Sequence, residues 1–66
     1  MNENALRGAV YAKYESLTAL ARALGWSRQK VSNVIGGKVE PSLEDVDKLS
    51  KALGIGLEQT AQFFLQ

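Results

Sequence analysis

An all-α fold of five helices in one compact domain, residues 1–66, is what this sequence predicts, on three observations. Apolar residues recur three and four positions apart along almost the whole chain, the period of helices packed on one core. No stretch carries the period of two that marks a half-buried strand. Serines and glycines stand at regular intervals where such helices would begin and end.

The first helix is predicted over Asn4 to Tyr14, with Leu6, Val10 and Tyr14 on one face. Ser16 caps the second, its hydroxyl positioned to accept from a first-turn amide, and Leu17, Leu20 and Leu24 form its buried face. Gly25 ends that helix, because glycine takes positive φ without steric cost. Ser27 caps the third, which runs to Ile35 and closes at Gly36 and Gly37. Ser42 and Asp45 resemble a capping box at the start of the fourth, Leu43 to Leu53. After Gly54 and Gly56 a fifth helix is predicted over Leu57 to Leu65.

Composition narrows the function. The chain has no cysteine and no histidine, which removes disulfides, Cys/His metal sites and the thiol nucleophile, and with them the usual enzyme constellations. "GGK" is too short for a phosphate loop. No metal, cofactor or catalytic residue is expected. The opening "MNENALRGAV" lacks the order of a signal peptide, and no apolar run approaches the roughly 18 residues of a membrane span, so a cytoplasmic protein is expected. A net charge of +1 conceals an uneven division: residues 16–39 hold Arg22, Arg28, Lys30 and Lys38 with no acid, while residues 40–66 sum to −3. The acid-free segment is the one suited to an anionic partner.

Within that segment two short helices are joined by a glycine-containing turn, the helix-turn-helix arrangement. Ala21 is small where the two must approach, Gly25 makes the turn, Trp26 follows as an apolar plug, and Val31 and Val34 seat the next helix on Leu20 and Leu24. The stretch "LTALARALGWSRQKVSNVIGGKVEPSLEDVDKLSKALGI", Leu17 to Ile55, resembles the Cro/CI-type helix-turn-helix family of phage repressors and bacterial regulators, the lambda-repressor-like fold. Two positions depart from the family pattern. Leu17 stands where a phosphate-holding glutamine is common, and Val10 and Ile35 stand where an arginine and a glutamate often pair. Both partners have become apolar together, which reads as repacking of the same fold.

At about 100° per residue the third helix places Ser27, Val31, Val34 and Ile35 on one side. Gln29, Ser32 and Asn33 lie opposite, with Arg28 and Lys30 flanking. Arginine can pair bidentately with guanine, and glutamine or asparagine with adenine, so Arg28, Gln29, Ser32 and Asn33 are the candidate base contacts in a major groove. Phosphate contacts are expected from Lys30, Lys38 and the amides of Gly36 and Gly37, with the helix N-termini near Ser16 and Ser27 adding dipole-assisted donors. An ordinary solvated face is the competing reading of the same polar residues. For Lys38 the competing reading is a turn lysine, and Arg22 lies mid-helix.

In the terminal "LEQTAQFFLQ" a continuous helix cannot bury Phe63, Phe64 and Leu65 together, so at least one aromatic should point outward and form a two-fold dimer contact. Both rings wrapped on the end of the core is the alternative. The expected function is a sequence-specific double-stranded DNA-binding transcriptional regulator, a repressor binding a pseudo-palindromic operator as a homodimer. No length remains for an effector-binding second domain, so control by concentration or by a partner is expected. The competing function is an antitoxin-like or anti-regulator module that grips a protein partner through the fifth helix.

Overall fold

The computed structural model describes residues 2–65. Five helices follow in the expected order: α1 Glu3–Lys13, α2 Leu17–Leu24, α3 Arg28–Ile35, α4 Leu43–Leu53 and α5 Leu57–Gln62. Among the described residues no strand forms.

Four of the five starts are set by a side chain. Asn2 Oδ1 accepts from the Ala5 amide at 3.2 Å, which begins α1 one residue ahead of the expected Asn4. Ser16 Oγ accepts from Ala19 at 3.1 Å and Ser27 Oγ from Lys30 at 3.0 Å. At α4 the box is reciprocal: Ser42 Oγ accepts from the Asp45 amide at 3.1 Å, and Asp45 Oδ2 accepts from the Ser42 amide at 3.3 Å. A cap of this type contributes about 1 kcal/mol.

The turn between α2 and α3 is closed by two backbone bonds, Gly25 donating to the Arg22 carbonyl at 3.3 Å and Trp26 to Ala21 at 3.0 Å. This pattern needs a left-handed residue at its corner, and Gly25 supplies it at φ 73°. The end of α3 repeats it one position later than the first glycine. Gly36 is still right-handed at φ −84°, and Gly37 takes φ 76°. Lys38 then donates to the Asn33 carbonyl at 2.8 Å.

The core draws Leu6 and Val10 from α1, Leu17, Leu20, Ala21 and Leu24 from α2, Val31, Val34 and Ile35 from α3, and Leu49 and Leu53 from α4. Val10 and Ile35 have no exposed surface, as the repacking reading requires, and each such side chain contributes about 1.5–3 kcal/mol by leaving water. Tyr14 departs from expectation. It lies just past α1 in extended backbone, and its half-buried ring sends the hydroxyl across to donate to the Ala52 carbonyl of α4 at 2.8 Å.

The fifth helix is shorter than expected. It stops at Gln62, where Phe63 and Phe64 donate to the Thr60 and Ala61 carbonyls in a tightened turn. The chain leaves the helix there, and both rings are half-buried against the core, neither of them fully exposed. The exposed member of the trio is Leu65, at 67%. Asn2 donates through its amide to the Phe63 carbonyl at 2.9 Å, which fastens the N-terminal end to this turn.

Candidate nucleic-acid interface

The seating of α3 follows from its sequence period. Val31, Val34 and Ile35 are buried, while Arg28, Gln29 and Lys30 are exposed and Ser32 and Asn33 are half-buried at the edge of the same surface. Gln29 Nε2 donates to Asn33 Oδ1 at 3.0 Å, so the two amides form one unit across a helical turn. Arg22, Arg28 and Lys38 are exposed, and among the described residues none of them forms an ion pair. The surface therefore combines uncompensated positive charge with paired amide donors and acceptors.

Three expected phosphate contacts, Lys30, Gly36 and Gly37, have partners within the domain. The Lys30 ammonium lies 3.2 Å from Asp45 Oδ1 and 4.4 Å from the centre of the Trp26 ring. A lysine offered to phosphate was expected, and the structure shows one held by a carboxylate and an aromatic face of its own domain. The amides of Gly36 and Gly37 donate to the Ser32 and Val34 carbonyls at 2.9 and 3.2 Å, as the closing turn of α3 demands. Neither is a free donor. Ser16 and Ser27 are occupied as caps, and Lys38 projects from the loop beyond them.

Asp45 joins this surface from the first turn of α4. Burial raises the pKa of its carboxyl, but the hydrogen bond and charge of Lys30 and the bonds from Ser42 outweigh that, and it titrates below the ordinary carboxylate value. Its capping role was legible from the spacing to Ser42. Its bond to Lys30, 15 residues away in sequence, carried no local signal.

The family described as Helix-turn-helix domain matches residues 5–63, a stretch that reaches into all five helices. The chain belongs to the helix-turn-helix domain family. The match is consistent with the Cro/CI-type resemblance of residues 17–55. No curated protein and no solved structure matches the chain. Membership supports DNA as a partner of this helix-turn-helix protein and a DNA-binding regulatory role for it. Among the described residues no helix is long and apolar enough to cross a membrane, and no cluster of carboxylates could hold a metal ion.

Away from α3 the helix-turn-helix domain exposes a second kind of surface. Leu43 is 76% exposed beside Leu65, and the two border a shallow groove lined by Pro41, Val46, Ala61 and Phe64. Val39 is also exposed nearby. Phe64 is on this groove, while its ring is partly covered by the core.

Proposed function

We propose that the protein is a sequence-specific double-stranded DNA-binding transcriptional regulator of the cytoplasm, a repressor that occludes a promoter with α3 lying in the major groove. The single observation that carries this reading is the division of α3. Its apolar side is buried on α2, and its other side presents Arg28, the Gln29–Asn33 amide pair and Ser32 from a segment with no acid. These are side chains that discriminate base edges, each good bidentate contact being worth about 1–3 kcal/mol. Lys38 supplies the phosphate contact from the loop, and the N-terminal turns of α2 and α3, at Ser16 and Ser27, add oriented dipoles.

The operator is pseudo-palindromic and bound by a homodimer. The long axis of the domain is 26 Å, while half-sites one helical turn apart are separated by about 34 Å, so one copy reads one half-site. The dimer contact is assigned to the C-terminal face, where Leu65 and Leu43 are exposed beside Phe64 and Phe63 packs beneath. The same exposed face favours the second reading, an antitoxin-like module that holds a protein partner there.

Selection from a random duplex pool tests the proposal. An enriched inverted repeat supports a dimeric sequence reader, and salt-sensitive binding with no enriched sequence overturns it. Sedimentation of Leu65→Glu tests the dimer: it should be monomeric and bind the selected operator more weakly, and an unchanged dimer excludes this face.

A further inference from the structure

Among the described residues, Lys30 is the one basic residue of the acid-free segment that the fold itself neutralises. Its ammonium is between the carboxylate of Asp45 at 3.2 Å and the Trp26 ring at 4.4 Å. Asp45 is held in turn by the Ser42 amide at 3.3 Å and is largely enclosed, its side chain 18% exposed. A carboxylate fixed by a helix cap is not free to swing away from its lysine. Trp26 is fixed too, since its amide closes the turn before α3 and its ring packs on the core. Both partners of Lys30 are thus rigid parts of the helix-turn-helix frame, while Lys30 itself is on α3 with its side chain 43% exposed.

We propose that Asp45 is a positioning residue that withholds Lys30 from the phosphate backbone, so that the domain meets duplex DNA with one cation fewer than its sequence offers. The inference rests on the DNA-binding reading. Non-specific attraction scales with the number of phosphates neutralised, whereas sequence preference comes from base contacts. A lysine kept on its own carboxylate lowers attraction to every duplex and leaves the reading face of Arg28, Gln29 and Asn33 untouched. It also stiffens α3 by joining it to the start of α4.

The test compares wild type, Asp45→Asn, Lys30→Met and the double variant. Asparagine keeps an acceptor for the Ser42 amide, so the start of α4 is preserved while the charge is removed; thermal melts verify that each variant is folded. Duplex affinity is measured against salt. Asp45→Asn should bind every duplex several-fold tighter and steepen the slope of log affinity against log salt by about 0.9, the value for one added phosphate contact. Its ranking of sequences should not change. In the Lys30→Met background the same substitution should leave the slope where it was. A slope that Asp45→Asn does not move, or moves equally in both backgrounds, overturns the proposal, as does a slope that Lys30→Met alone flattens by about 0.9.

Heparin, a polyanion without bases, separates this inference from the functional reading. Lys30-dependent gain of heparin retention in Asp45→Asn, with no duplex sequence enriched by the wild type, sustains the withheld cation and removes the sequence reader. An enriched operator with no effect of Asp45→Asn on either polyanion sustains the reader and removes the withheld cation.

Discussion

Gln29 and Asn33 stand one turn apart on α3 and are joined, the amide nitrogen of Gln29 donating to Asn33 Oδ1 at 3.0 Å. The bond occupies one donor and one acceptor, and among the described residues Gln29 Oε1 and the Asn33 amide nitrogen form no other hydrogen bond. An acceptor beside a donor is complementary to the N6 amino group and N7 of adenine. The pair should therefore act as one reading unit. Gln29→Ala and Asn33→Ala should each lose about 1–3 kcal/mol of preference at the same base pair. The double variant should lose no more than the larger single loss, and competition binding on single-base operator variants measures this. Additive losses at two different base pairs would separate the residues.

Lys38 is exposed at the loop after α3, with its amide committed to the Asn33 carbonyl, and among the described residues its ammonium forms no ion pair. Lys38→Ala should weaken binding to all duplexes alike and flatten the salt slope by about 0.9. Fluorescence anisotropy at several salt concentrations reads both quantities. A change of sequence preference would place Lys38 on a base.

Two glycines should respond to alanine with opposite signs. Gly37 holds φ 76° at the end of α3, a conformation that costs an L-residue about 1–2 kcal/mol, so Gly37→Ala should destabilise by that amount. Gly8 is inside α1 with open space where a Cβ would go, and Gly8→Ala should stabilise by about 0.5–1 kcal/mol. Urea unfolding of both variants supplies the comparison. Equal signs would contradict the backbone assignment.

Asp45 links stability to pH. Its folded pKa lies below the ordinary value, so its contribution is fully present above about pH 3.9 and is lost as pH falls through the lower folded value. At neutral pH the wild type should melt above Asp45→Asn, and the gap should close in acid. A gap that persists well below that folded value would mean the loss comes from packing and not from charge.

The bounds of α2, α3 and α4 were legible because each is bracketed by a serine and a glycine around a buried stripe of period 3.6. The end of α5 was not. Helical periodicity in "LEQTAQFFLQ" continues past Gln62, whereas the helix stops there and Phe63 and Phe64 pack against the core, with no capping residue in the sequence to mark the end. Tyr14 shows the same limit, since its bond to the Ala52 carbonyl spans 38 positions. The polar face of α3 could be read from sequence spacing, which sets the angles between neighbouring side chains. The pairing of Lys30 with Asp45 and the Trp26 ring depends on α4 bringing Asp45 to α3, and spacing within α3 carries no record of it.

Backbone amide chemical-shift mapping during titration with a selected duplex asks whether the outward face of α3 meets DNA. The largest shifts should fall on Arg28 to Asn33, with a second set at Lys38 and little change along α1. Shifts concentrated at Leu43, Phe64 and Leu65, with α3 unmoved, would contradict it and identify the C-terminal groove as the working surface.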